Sequence, residues 1–296
     1  MRINKHQLVA ISFIFCQLAF SLTLASCSKD DDATEQTDGD GRRMRTLTIA
    51  NAQMTRATID PTTFGAAWAT TDRPMYLNLS LLPSNNVYYG SLTPSVAGTS
   101  TTLTGSVYCG EGDNIAIVFP GFSGVDNNGE SVSLPISLSG QKGTLADIGA
   151  NFHYVYGVAP SVSVSDGTAT GTVSEMKSLL SLCKFTFTNG GSPVNVKSVQ
   201  IGWGKDGSVG YPNTGSLVIP LKTPEDGVVE ADAPSGPLTV TLDESNAEGV
   251  VYVALFPCDS KLAFHFTVSD GTNSYTTTKN AKMLAGKYYD VAVAVE

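Results

Sequence analysis

The most regular pattern in the chain lies near its end. Over residues 287–296, Tyr289, Val291, Val293 and Val295 alternate with polar or small neighbours, so an extended strand here has one apolar face. Shorter runs of strand character recur at 46–50, 75–82, 114–119, 131–134 and 152–158, then at 183–188, 194–203, 216–219, 238–242, 250–256 and 262–268. Asn127-Asn128-Gly129, Asp166-Gly167 and Asp270-Gly271 punctuate them with residues suited to tight turns. Cys183, Phe185 and Phe187 share a face, and only residues 174–180 have the look of a helical turn. With no helices to carry crossovers between parallel strands, the sheets are expected to be largely antiparallel. Many short strands with regular turn signals predict an all-β chain, and its length predicts two tandem β-sandwich domains, 45–160 and 161–296. No short-period repeat is present, which disfavours a solenoid or a propeller.

The first residues follow different rules. An apolar run, 8–24, is preceded by Arg2, Lys5 and His6 and ends in Leu24-Ala25-Ser26-Cys27. This is the layout of a secretory signal, and the cysteine after two small residues resembles a lipobox. Residues 1–26 are therefore expected to be a lipoprotein signal peptide and Cys27 the lipidated residue; a soluble secretory signal is the plainer alternative. Each buried CH2 contributes about 0.8 kcal/mol to membrane binding, so several acyl chains on one residue make a firm anchor. Residues 27–44, with Lys29-Asp30-Asp31-Asp32 and no apolar face, read as a flexible acidic tether. It resembles the segment that sends some lipoproteins to the outer face of the outer membrane.

Charge narrows the function. The chain carries −9, and loss of Arg2 and Lys5 with the signal makes this −11. An acidic chain without a basic cluster is a poor partner for nucleic acid. Of five cysteines, Cys109, Cys183 and Cys258 remain after Cys16 leaves and Cys27 is acylated; their wide spacing gives no zinc motif and suits small buried hydrophobes. Gly202-Trp203-Gly204-Lys205-Asp206-Gly207 spells a dinucleotide fingerprint, but Ser208-Val209-Gly210-Tyr211-Pro212 cannot form the helix it needs. Gly121-Phe122-Ser123-Gly124 lacks the spacing of a nucleophile elbow. His153 and His265 read as partly exposed strand residues. No catalytic residue, cofactor or metal site is expected, and the chain does not read as an enzyme.

Several landmarks, in their order, resemble the fimbrillin family of type V pilins and minor fimbrillins. They are the lipobox and acidic tether, a first strand closed by Arg56-Ala57, the run 152–157, the run 179–187 and the ending Leu284-Ala285-Gly286-Lys287-Tyr288-Tyr289. The resemblance implies two transthyretin-like sandwiches and a surface fimbrial or adhesin-like lipoprotein of the outer membrane. It further implies assembly by β-strand addition with other fimbrial subunits, after an arginine-specific cut removes the first strand. A missing strand leaves unpaired backbone beside an apolar groove, and an added strand satisfies both. On this sequence the cut is expected at Arg56, with Arg45 second. The exchangeable strand would bury Leu47 and Ile49, its alternation shifting at Ala50 as a bulge would make it. The candidate donor is the last strand, through Tyr289, Val291, Val293 and Val295. No extension follows Glu296 in the sequence, which suits a tip or accessory subunit better than a shaft subunit. The alternative is a surface glycan-binding lipoprotein, with Trp68, Tyr88, Tyr89, Trp203 and Tyr211 stacking on sugar rings of a host or bacterial receptor; core or loop packing is the plainer account of these rings.

Overall fold

The computed structural model describes residues 41–53, 67–84, 89–173 and 175–296. Cys27, Arg56 and Tyr88 lie outside them. The fold is all-β, built from five sheets. In the first, the order is β10 (Ser163–Ser165), β11 (Thr168–Thr172), β1 (Arg43–Gln53), β5 (Ser100–Cys109) and β4 (Thr93–Pro94). In the second it is β12 (Lys177–Ser178), β9 (Val155–Ala159), β6 (Ile115–Phe119), β2 (Met75–Asn78) and β3 (Tyr89–Ser91). A third sheet runs β17 (Val228–Ala231), β16 (Thr214–Pro220), β8 (Ser131–Ser137), β7 (Asp126–Asn127), and so joins strands from both halves of the sequence. The fourth holds β14 (Ser192–Pro193), β13 (Ser181–Asn189) and β19 (Val250–Leu255), with β22 (Tyr288–Val295) also on β13. The fifth runs β18 (Leu238–Asn246), β15 (Val196–Trp203), β20 (Cys258–Ser269), β21 (Ser274–Met283).

Two hydrophobic cores result. The smaller gathers Leu47, Ile49, Leu103, Val107, Ile115, Ile117, Phe119 and Val155 from the first two sheets. The larger includes Ala116, Val118, Tyr156 and Val158 from the second sheet, then Leu134, Leu217, Phe185, Phe187 and Phe266 from the other three. Every residue of β6 and β9 is buried, because successive side chains of a strand point to opposite faces and here both faces are covered. At the heart of the larger core the rings of Phe185, Phe187 and Phe266 meet with centroids 5.0–6.0 Å apart. Cys109, Cys183 and Cys258 are free thiols and buried, in keeping with their reading as small hydrophobes.

The structure departs from the sequence reading at several points. Sheet pairing runs past the expected domain boundary at 160/161: β10 and β11 join the first sheet and β12 pairs with β9 in the second. Asp166-Gly167 does make the expected hairpin, with Asp166 at φ +44°, but a turn signal cannot say which sheet its strands enter. Two pairs are parallel, β1 with β11 and β13 with β22, and both are closed by long excursions of chain rather than by crossover helices. The expected helical turn at 174–180 instead carries β12, with Leu179 and Leu180 buried. The run 75–82 is a strand only to Asn78, whose side-chain oxygen accepts from the Ser80 amide and starts a 3-10 turn, Leu79–Ser84. A short helical stretch absent from the sequence reading covers Leu145–Phe152, capped by the Thr144 hydroxyl on the Asp147 amide at 3.2 Å. His153 is fully buried rather than partly exposed, its Nε2 3.1 Å from the Ser178 hydroxyl.

Candidate functional site

The candidate site is the slot that holds β1. Its sequence, RMRTLTIANAQ, alternates Arg45, Leu47 and Ile49 inward with Met44, Thr46 and Thr48 outward, and Leu47 and Ile49 have no exposed surface. The strand is interior to its sheet. It pairs antiparallel with β5 from Arg43↔Cys109 to Gln53↔Ser100, and parallel with β11 from Thr46↔Thr168 to Ala50↔Thr172. The shift of alternation at Ala50 is a real irregularity: register slips between Ile49 and Ala52, which turns Ala52 inward as a third buried apolar residue. The neighbouring β11 approaches closely at Gly171, the register partner of Ile49, where a Cβ would meet Ile49 Cδ1 at 2.9 Å.

Side chains fasten both ends of the strand. At the start, the Arg42 guanidinium meets the Asp113 carboxylate with Nη2–Oδ1 at 2.7 Å and Nε–Oδ2 at 3.0 Å. Asp113 is 2% exposed at its side chain and Arg42 23%. Asp113 also accepts from Asn78 Nδ2 at 2.9 Å and from the Gly110 amide at 3.0 Å. Burial pushes the Asp113 pKa up, but the hydrogen bonds from Arg42, Asn78 and Gly110 and the Arg42 charge together hold it below the ordinary carboxylate value. Arg45 is buried too, donating Nη1 to the Cys109 carbonyl and Nη2 to the Gly41 carbonyl at 3.2 Å. At the far end, Trp68 Nε1 donates to the Ala52 carbonyl at 2.9 Å, and its ring packs edge-on against Phe119 at 5.9 Å.

The residues expected to carry function divide clearly. Leu47 and Ile49 lie together as the buried face of β1, while Arg45 lies within that strand rather than in a loop before it. A protease would have to strip Arg45 from the sheet before cutting there. Tyr289, Val291, Val293 and Val295 lie on one face of β22, Val293 and Val295 fully inside the larger core. β22 matches β13 residue for residue from Leu182↔Tyr288 to Asn189↔Val295, and reciprocal bonds between Thr276 and Glu296 at 2.9 and 3.1 Å tie its end to β21. Of the rings considered for sugar stacking, Trp68 and Tyr211 are buried, and Trp203 is half-buried against Tyr211 at 5.1 Å. Tyr89 is exposed. Gly202 lies within β15, and Gly204 and Gly207, at φ +91° and +73°, form the loop that follows, with no helix behind it. Nothing local in the sequence marks Arg42, Asn78 and Asp113 as a cluster, since the arginine and the aspartate lie 71 positions apart. Among the described residues, no group of three His, Cys, Asp or Glu side chains is placed to hold a metal ion. No described helix is long and apolar enough to cross a membrane.

No protein-family model and no curated protein matches the sequence. Solved structures do match in fold. A "putative cell adhesion protein" from Bacteroides ovatus aligns over 86% of this chain and 95% of its own, with 17% identity and a TM-score of 0.51. Another so described, from Bacteroides uniformis, aligns over 88% and 96% with 12% identity and a TM-score of 0.50. The tip fimbrial protein Mfa3 from Porphyromonas gingivalis aligns over 84% and 95% with 11% identity and a TM-score of 0.41. At these identities the likeness is one of fold: the chain has the architecture of the two Bacteroides proteins, in keeping with the fimbrillin-like resemblance of its sequence.

Proposed function

We propose that this protein is a surface adhesin-like structural subunit of fimbrial type, anchored through Cys27 to the outer membrane and without enzymatic activity. In this reading β1 is an exchangeable strand. The observation that carries it is the position of β1: first of the described strands, interior to its sheet, and buried through Leu47, Ile49 and Ala52. Loss of an interior strand opens two sheet edges at once, those of β5 and β11, above an apolar floor. Leu47 and Ile49 together contribute about 3–6 kcal/mol of burial that a strand from a neighbouring subunit would restore. The cut belongs at Arg56, downstream of the strand, because Arg45 is held inside the sheet. Since β22 is engaged with β13, a donor role would require it to leave its own core. A tip or accessory place therefore fits better than the shaft.

The test is digestion of the lipid-free protein with an arginine-specific protease, followed by gel electrophoresis without boiling. A labelled peptide of residues 43–53 should stay bound to the cut wild type on the gel and not to uncut Arg56→Ala. Cleavage at Arg56 with no peptide taken up would reject strand exchange. Radiolabelled palmitate should mark the wild-type precursor in cells and leave Cys27→Ala unmarked.

A further inference from the structure

A cleft of about 460 Å3 opens where β8, the first residues of β16 and the loop after β6 meet. Phe122, Ser137, Tyr154, Thr214, Ser216 and Asp232 line it. Tyr89, 53% exposed, meets the lining residue Phe122 edge-on with centroids 5.6 Å apart. The Asp232 carboxylate is fixed rather than free to swing: the Thr214 hydroxyl donates to Oδ2 at 2.6 Å, and the Asp232 amide is bonded to the Thr214 carbonyl at 3.0 Å. Tyr154 is half-buried, with its hydroxyl 3.5 Å from the Ser137 carbonyl.

We infer that this cleft is a binding subsite for a neutral saccharide. Pockets of a few hundred Å3 with aromatic walls and a few fixed polar groups are the usual form of a small-molecule site. Among the described residues the lining holds no Lys, Arg or His to neutralise a phosphate, sulfate or carboxylate on a ligand. A sugar ring would use each feature present. Its C–H face lies on the rings of Phe122 and Tyr154 with Tyr89 beside them, its hydroxyls donate to Asp232, and its oxygens accept from the serine hydroxyls, since the Thr214 proton is committed to Asp232. An ammonium group would use the rings and the carboxylate but has no acceptor for those hydroxyls. This inference goes beyond the assembly reading and involves no residue of β1, so either stands if the other fails. It also moves sugar recognition away from Trp68 and Tyr211, whose rings are enclosed in the cores.

The test is saturation-transfer NMR on the lipid-free chain with maltose, cellobiose, lactose and chitobiose, and with tetramethylammonium as a cationic probe. Transfer to the ring protons of at least one disaccharide is expected. Its dissociation constant should rise about tenfold or more in Asp232→Asn, the loss that follows one charge-assisted hydrogen bond. Tyr89→Leu should weaken the same sugar. Both residues are exposed, so an unchanged melting temperature separates lost recognition from lost folding. No transfer to any of the four sugars overturns the inference, as does binding indifferent to both substitutions. Binding of tetramethylammonium in competition with no sugar signal overturns it as well.

Discussion

Asp113→Asn tests what keeps β1 in place. The substitution keeps the size of the side chain but removes the charge that pairs with Arg42, and it turns an NH2 group toward donors that already point inward. Asn78 Nδ2 and the Gly110 amide already share Oδ2, so the amide oxygen takes that place and the NH2 group is left facing Arg42 Nη2. Breaking a buried pair from one side costs about 3–5 kcal/mol. Arg42 is 23% exposed and regains water when released, which brings the expected loss to about 2–4 kcal/mol at neutral pH. Acidity supplies a second arm. The folded-state pKa of Asp113 is depressed, so its contribution is complete above the unfolded-chain value of about 3.9 and disappears as pH falls through the lower folded-state value. Wild type and Asp113→Asn should therefore converge in acid. Urea melts give the stability difference at constant slope. Hydrogen exchange should place the loss first in the amides of β1 and β5, with those of β13 and β22 less affected. A variant within about 1 kcal/mol of wild type at neutral pH, or a gap unchanged in acid, would refute the reasoning.

Other substitutions probe the same and neighbouring packing. Ile49→Ala should cost about 2–5 kcal/mol in urea melts, because the void lies under an interior strand. Gly171→Ala should cost about 1–3 kcal/mol by overpacking, since its new methyl meets Ile49, Val162 and Ala159. Trp68→Phe should lose about 1–2 kcal/mol as the Ala52 carbonyl gives up its indole donor, with the near-ultraviolet circular dichroism of the folded chain changing in parallel. Burial raises the thiol pKa of Cys109 to about 11 and that of Cys183 further, so mass spectrometry after mild alkylation at pH 8 should find both unmodified until urea is added. Labelling of either in the native protein would contradict their enclosure.

What was legible in the sequence is what depends on near neighbours. The alternation around Leu47 and Ile49 and its slip at Ala50, the hairpin at Asp166-Gly167 and the strand through Val293 all follow from period and turn chemistry. The run 115–119 was legible as buried, and its lack of alternation reflects cover on both sides. What was hidden is the choice of partner. Nothing in β8 announces that Leu134 will face Leu217 in β16, or in Thr168–Thr172 that the strand will lie parallel to β1. The rings of Trp68 and Tyr211 follow the plainer reading, packing within a core. Tyr211 sits among glycines and polar residues, and for both rings it is long-range packing that encloses them. The fastening of β1 was invisible locally because Arg42, Asn78 and Asp113 come from separate stretches of chain.

In β6 the side chains of Ile117 and Val118 are next to each other in sequence yet belong to different interiors. The second sheet is thus a party wall, and heat or force that disorders it strips one side of both rooms at the same moment. The described residues should accordingly melt in one calorimetric step, with no stage in which one room stands while the other is open.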